Sequence, residues 1–280
     1  MPVLAFTQEM ATLGSDVALG VCEALKLSMV RHEVGDVVAG RMQVKKSLIR
    51  RIREGKAGKF EKWGADEKTI SIFTAEEVFD LAEKGNVLVR GWGATQLLHQ
   101  VAHVPCVRVC APMDLRVQRL LKRLGSDDED LARREIEVDD VARASRIAEH
   151  FNVKWGDPTL YDLTLNTDRL SIPNCVDLVL ALVKGPDFQE TPESRQHLAD
   201  LALQARARAA LKANDATSGI DIGIAARGGR FVLSGIVLNE RERALVESVL
   251  VELPGSAGVE NNLRTMAGGL YRFPSQVKDS

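Results

Sequence analysis

The sequence has no excess of either charge: 37 lysines and arginines stand against 39 aspartates and glutamates, a formal net charge of −2. A general nucleic-acid binder needs a positive surface, so no nucleic-acid partner is expected. No apolar run approaches the length of a membrane span. The first residues lack the basic, apolar and small-residue order of a signal peptide, so the cytoplasm is the expected compartment. The four cysteines, Cys22, Cys106, Cys110 and Cys175, form no C-x-x-C pair, and the five histidines do not cluster with them along the chain. Buried free thiols are therefore expected rather than a metal site or a disulfide. Also missing is the Walker pattern G-x-x-x-x-G-K-[ST]: the first turn has one glycine, Gly14, and no lysine.

The chain does have a core. Its apolar fraction of 45% is that of soluble proteins, and 280 residues suffice for one large domain or two ordinary ones. Val3 to Leu27 organises the rest, as an apolar strand, a small and polar turn, and an amphipathic helix from about Ser15 to Leu25. Thr12, Ser15 and Asp16 are good helix-cap types. A helix N-terminus favours anions, and Gly14 lets a phosphate approach the backbone, whereas Asp16 competes for the same N–H groups. The bland alternative is a capped helix of any α/β domain.

Arg31 to Leu81 reads as mostly helical and polar. Within it, Lys45 to Lys62 is basic, which suits either a positive rim or a solvated helix face. Thr74 and Glu77 form a capping box, T-A-E-E, and Gly85-Asn86 ends that helix. Asn86 to Arg90 is a short strand running into the turn GWGAT, and Val104 to Ala111 is a third strand. Pro112 and Asp114 begin a helix with Arg116 and Arg119 just past a strand's C-terminal end, where α/β ligands sit. Leu131 to Phe151 is a charged helix, Tyr161 to Asn166 a strand, and Ile172 to Val183 an amphipathic helix. This alternation predicts a parallel sheet covered on both faces. Gly185 to Pro192 reads as a linker. Beyond it come a helix, two strands joined at Gly228-Gly229, a helix and a strand, a small α+β domain, with a loose tail after Met266.

Four segments carry a resemblance. They are the opening turn TQEMATLG, the strand and turn VLVRGWGA, the strand and helix VRVCAPMDLRVQRL, and the stretch GDPTLYDLTLNTDRLSIPNCVDLVLALV. In order and spacing they resemble the cytidylate-kinase-like family of P-loop proteins. The segment from Ile136 to Phe151 looks like that family's lid helix. Farther on, GGRFVLSGIVLNERERALVESVLVELPGSAGVENNL resembles a BON domain, a binding or interaction module. The resemblance implies an α/β, P-loop NTPase-like parallel sheet flanked by helices over residues 1–184. Residues 185–200 would be the linker and start of a helix, 201–266 the BON-like domain and 267–280 a tail.

It also implies roles. Arg143 and Arg146 would close over transferring phosphates, with Asp140 orienting one of them. Thr12, Gly14, Ser15 and Arg116 would hold ATP, and Thr12 would serve Mg²⁺. Arg90, Gly91, Gly93, Asp157 and Asp162 would meet the substrate nucleotide, the two aspartates through base or ribose unless they only cap a loop. Gln8 and Trp92 stand where the family has arginines, and Ala11 and Leu13 where it has glycines. Trp92 either stacks on a base or fills the core. Three functions follow: a nucleoside-monophosphate kinase with weak transfer; a catalytically inactive nucleotide sensor or scaffold acting through the BON-like domain on a protein or lipid partner; or an interaction protein that has lost nucleotide. A homo-oligomer is left open.

Overall fold

Strand β1 (Val3–Gln8) is buried along five of its six residues, and it lies at the centre of a sheet. It pairs in parallel with β3 (Val87–Arg90) on one side and β4 (Cys106–Cys110) on the other. Strand β2 (Ser28–Val30) lies outside β3, and β5 (Leu163–Asn166) lies outside β4. The order is β2-β3-β1-β4-β5, all parallel. Continuous apolar runs such as VLAF and VLV suit such strands, because helices cover both faces. The sequence reading lacks β2, whose three residues are too short to show a period. The computed structural model describes residues 1–31, 33–54, 57–58 and 66–266. Lys56, Lys59 and Lys62 of the basic stretch, and the tail after Met266, lie outside the described residues.

Helix α1 (Gly14–Leu25) follows β1 and buries Val17, Ala18 and Val21 against Leu4, Phe6, Leu88, Val107 and Val109. Helix α8 (Ile172–Lys184) adds Cys175 and Val179 to the same cluster. Between them come α2 (Glu33–Arg41), α3 (Lys46–Arg53), α4 (Glu67–Lys84), the short α5 (Ala94–Leu97), α6 (Met113–Leu124) and the 23-residue α7 (Glu129–Phe151).

Two expected caps are corrected. The α1 N-cap is Leu13, in the left-handed region at φ 60°, with no side-chain cap bond, so Thr12, Ser15 and Asp16 do not cap it. Helix α4 begins at the Asp66 cap, whose carboxylate accepts from Lys68 N at 3.1 Å and Thr69 Oγ1 at 2.6 Å. Thr74 is a buried residue inside that helix, so the T-A-E-E box is unused.

The chain divides into two compact units, the first ending at Ala205 and the second beginning at Arg206. The division falls inside helix α9 (Pro192–Ala213), whereas the sequence reading put the first boundary at Lys184. The proline-bearing stretch ahead of α9 is ordered by local bonds. Thr191 and Ser194 exchange hydrogen bonds: Thr191 N–H donates to Ser194 Oγ at 3.0 Å and Ser194 N–H to Thr191 Oγ1 at 3.1 Å.

In the second unit β6 (Gly223–Arg227) pairs antiparallel with β7 (Arg230–Val237), and β7 pairs in parallel with β8 (Val259–Thr265). Gly228 and Gly229 both have positive φ, 57° and 79°, as a two-residue hairpin turn of matching twist demands. Helix α10 (Glu240–Val251) buries Val246 and Leu250, while the sheet contributes Phe231, Leu233, Val237 and Leu263 to the core. Asn239 caps α10 by accepting from Glu242 N at 3.0 Å.

Candidate functional site

The site is built on the turn between β1 and α1. Ala11 and Leu13 sit at φ 61° and 60°, the left-handed region that L residues avoid at a cost of about 1–2 kcal/mol each. They occupy two of the positions where the sequence pattern calls for glycine, and they keep a glycine-like backbone without glycine. Alternating left-handed residues turn successive N–H groups toward one concavity. Among the described residues the N–H groups of Ala11, Thr12, Leu13, Gly14 and Ser15 donate to no protein acceptor, while Asp16 N and Val17 N both close on Leu13 O. A run of unpaired amides at a helix N-terminus is an anion cradle. Gly14 is needed there because a Cβ would lie 2.9 Å from Gln8 Cβ.

The second turn also uses positive φ, and its Gly91 N–H donates to Phe6 O at 2.8 Å. Gly91, Trp92 and Gly93 have φ of 81°, 61° and 69°, three left-handed residues in a row after β3. A Cβ on Gly93 would meet the Phe151 ring at 3.0 Å. Trp92 Nε1–H donates to the Arg31 carbonyl oxygen, and the indole lies over Gly35 of α2. It is half-buried and faces open space, so it does not simply fill the core.

These two turns meet at the C-terminal ends of β1 and β3 and open on a cleft of about 580 Å³, the size of ordinary ligand sites. Among the described residues seven basic side chains line it against four acidic ones. Arg31 comes from the β2 end, Lys46 and Arg50 from α3, and Arg143 and Arg146 from α7. Desolvation, followed by repulsion from Arg143, lowers the Arg146 pKa to about 10. Arg31 is also lowered, first by desolvation and then by Arg143, Arg123 and Arg50. The cleft therefore holds positive charge that an anionic ligand would relieve.

Opening beside this cleft is a smaller, more apolar pocket of about 110 Å³, lined by Trp92, Phe151 and Trp155 with Thr95, Gln96 and Ser71. Gln96 Nε2 is buried there with no hydrogen-bond partner, and its Oε1 accepts from Thr95 Oγ1 at 2.9 Å. Flat aromatic walls and a free amide donor suit a planar ring with an acceptor edge.

The expected residues are placed as follows. Ser15, Gly14, Arg90, Gly91, Gly93, Arg143 and Arg146 come together around the two turns and the two pockets. Thr12 does not present itself as a magnesium ligand. It is wholly buried, and its hydroxyl donates to Glu9 O at 2.9 Å. Thr12 therefore supplies no side-chain ligand for Mg²⁺ at this turn.

Arg116 is 4% exposed and already saturated. Its two Nη groups clamp Asp140 at 2.8 Å each and its Nε donates to Met10 O at 2.8 Å. Asp140 thus orients Arg116, fixing α7 to the opening turn, and does not orient Arg143. The residue that holds Arg143 is its neighbour Asp139, through contacts of 2.6 and 3.2 Å.

Asp157 caps a short 3-10 turn, accepting from Thr159 N at 2.9 Å and Oγ1 at 2.7 Å. Asp162 accepts from Cys106 N at 2.7 Å, at the N-terminal edge of β4 and β5, opposite the cleft. The loop-cap alternative describes both.

Sequence reasoning missed Glu9, Asp139, Arg108 and Gln96. Glu9 joins Arg108 and Arg116, and the Arg108 guanidinium stacks over Trp155 at 4.8 Å. Glu9 stands in the opening turn TQEMATLG that carries the resemblance, and Asp139 adjoins the expected Asp140, so both had a signal in the sequence. Histidine and cysteine are apart along the chain, but in space donor atoms of His99, Cys106 and Asp162 lie within 4.8 Å of one another. Burial pushes the Cys106 thiol well above its usual range, and its Sγ faces Thr95 O at 3.3 Å, so it remains a buried thiol. All four cysteines are free.

Among the described residues no helix is long and apolar enough to cross a membrane.

Comparison with known proteins agrees with this architecture. The model of the cytidylate kinase-like family matches residues 3–169, and that of the BON domain matches residues 199–267. The cytidylate kinase of Methanocaldococcus jannaschii is 22% identical over 176 residues, 61% of this chain and 96% of that protein. The cytidylate kinase of Staphylothermus marinus is 25% identical over 120 residues, 43% of this chain and 67% of that protein. Among solved structures, an uncharacterized protein from Eubacterium ventriosum has a TM-score of 0.52 at 18% identity, covering 66% of this chain and 99% of that one. It shares the fold.

Proposed function

Because the chain belongs to the cytidylate kinase-like family and carries a BON domain behind that region, we propose that it binds a nucleotide in the cleft at the β1 and β3 turns and transfers phosphate slowly. The observation that carries this is the pairing of two neighbouring sites, a basic cleft over unpaired amides and an aromatic pocket with a free Gln96 donor. Phosphates fit the first by charge, and a base fits the second by shape. The names of the relatives make a cytidylate-type acceptor the first to try.

In this reading the amides from Ala11 to Ser15 hold phosphate oxygens, and Arg143 and Arg146 close from α7. The Arg116–Asp140 clamp sets where α7 stands and touches no ligand. Transfer is slow for two reasons. The turn lacks a lysine, and Asp139 neutralises Arg143 in the ligand-free protein. Losing one charge-stabilising contact costs on the order of 10²–10³ in rate. Affinity survives better than rate, because the amides remain.

Calorimetry with CMP, ATP and inorganic tripolyphosphate, alongside an assay of transfer from ATP to CMP, tests the reading. Binding with turnover far below about 1–100 per second, the ordinary kinase range, is expected. Failure to bind any nucleotide refutes it, and turnover inside that range refutes slow transfer. A second reading, a silent nucleotide sensor acting through the BON domain on a protein or lipid partner, draws on the same Asp139–Arg143 pairing. It predicts binding with no turnover.

A further inference from the structure

The loop has lost its own cation, yet a cation stands beside it. Arg90, the last residue of β3, is 5% exposed and forms no ion pair with any described residue. Its Nη1 donates to Ser15 Oγ at 2.6 Å and to Gln8 Oε1 at 2.9 Å, which brings the guanidinium to the N-terminus of α1. Its Nε is buried with no partner at all. A buried arginine normally pairs with a carboxylate, because desolvating an uncompensated charge costs several kcal/mol. Here burial and the nearby Arg31 and Arg143 lower its pKa to about 10, with only Asp16 acting the other way. The fold maintains an unneutralised cation beside the turn whose five amides also lack protein acceptors among the described residues.

We infer that Arg90 is the phosphate-anchoring cation of this site, moved from the loop to strand β3, with Gln8 as the neutral bracket that makes room for it. The assignment rests on the nucleotide reading only for the identity of the ligand's organic part; the anchor itself recognises the polyphosphate. It also accounts for Gln8. An arginine there would press a second cation against Arg90, whereas glutamine accepts from Arg90 and reaches Ser15 Oγ through Nε2 at 3.4 Å. Gln8 and Arg90 are thus one exchange at two positions that sit 82 residues apart in sequence.

The probe is inorganic tripolyphosphate, titrated calorimetrically into the full chain. Arg90→Val should weaken binding by about tenfold to a hundredfold, the range of a charge-assisted contact. Its melting temperature should stay level or rise, since an unpaired buried charge has been removed. Gln8→Arg with Arg90→Val returns the cation to the loop and should recover most of the affinity. Arg90→Lys, which keeps charge but loses the planar fork, should fall between; it carries the test alone if the valine variant does not fold.

Undiminished tripolyphosphate binding by Arg90→Val, or no recovery in the double variant, overturns the assignment. So does Arg90→Lys binding as tightly as the parent. If the unaltered chain binds tripolyphosphate through Arg90 but no nucleoside phosphate, the anchor stands and the nucleotide reading falls. If it binds neither, both fall.

Discussion

Replacing Ala11 with glycine should stabilise the protein, although in most contexts that change weakens a fold. At φ 61° alanine holds a left-handed backbone that costs about 1–2 kcal/mol, and glycine pays none of this. Glycine gains more freedom in the unfolded chain, which takes back about 0.4–1 kcal/mol. The lost methyl packs at the edge of the Val117, Leu120 and Ile136 cluster, where half-burial makes it worth a few tenths of the roughly 0.8 kcal/mol of a fully buried carbon. The balance is a gain of about 0.5 kcal/mol.

Ala11→Val supplies the opposite arm. A β-branched residue in the left-handed region is a genuine outlier, and a loss of about 2 kcal/mol is expected. The spread between the two variants at one position, roughly 2–3 kcal/mol, is well above the error of urea unfolding followed by circular dichroism. If φ were negative, the glycine variant would instead lose about 0.5–1 kcal/mol. A glycine variant less stable than its parent would therefore refute the left-handed turn, and the cradle of amides with it. The same variant should keep its affinity for tripolyphosphate, because the loop's shape is unchanged.

Asp140→Ala leaves Arg116, at 4% exposure, with only the 3.5 Å ion pair to Glu9 and should cost about 3 kcal/mol by denaturant unfolding, while Arg116→Met with Asp140→Leu should recover most of it; equal losses in the single and double variants would sink the clamp. Asp139→Asn frees Arg143 and should tighten tripolyphosphate binding several-fold by calorimetry; weaker binding would mean that the carboxylate positions the arginine usefully. Because Thr12 offers the cleft no ligand atom, chelating magnesium with EDTA should leave tripolyphosphate affinity within about twofold, and a large loss would restore a protein-held metal.

Burial lowers the His103 pKa from its ordinary value of 6.5, against the opposing pull of Glu190 and with the N-terminal amine and Arg195 acting the same way as burial. The unfolded chain binds that proton first, so His103's contribution is full above pH 6.5 and is lost as pH falls toward the lowered value. His103→Asn should flatten the stability profile below pH 6.5, and an unchanged slope would exclude the histidine as its source.

Much of the fold was legible because parallel strands and amphipathic helices leave periodic marks. VLAF, VLV and CVRVC read as strands, and the stripe of Val17, Val21 and Leu25 read as a helix face. What failed was local. β2 is too short for a period, and the T-A-E-E box was overruled by Asp66, whose carboxylate binds both Lys68 N and Thr69 Oγ1. At the end of the stretch expected as a linker, Thr191 and Ser194 exchange hydrogen bonds that no composition count shows.

The site was legible as a place and less so as chemistry. Both glycine turns were found, but counting glycines suggested a damaged loop, when the backbone shape depends on φ and not on residue type. Ala11 and Leu13 supply it at the expense of strain. The turns lack the family's cations at positions 8 and 92, and sequence order alone does not show that β3 runs beside β1 with Phe6 opposite Arg90. Parallel pairing makes the end of β3 a neighbour of the loop, so a residue there can do what a loop residue does. Likewise Asp139 and Asp140 are consecutive and chemically alike, yet successive residues on a helix point about 100° apart. One turns to Arg143 in the cleft and the other to Arg116 beneath it, and only the packing of α7 on the opening turn decides which.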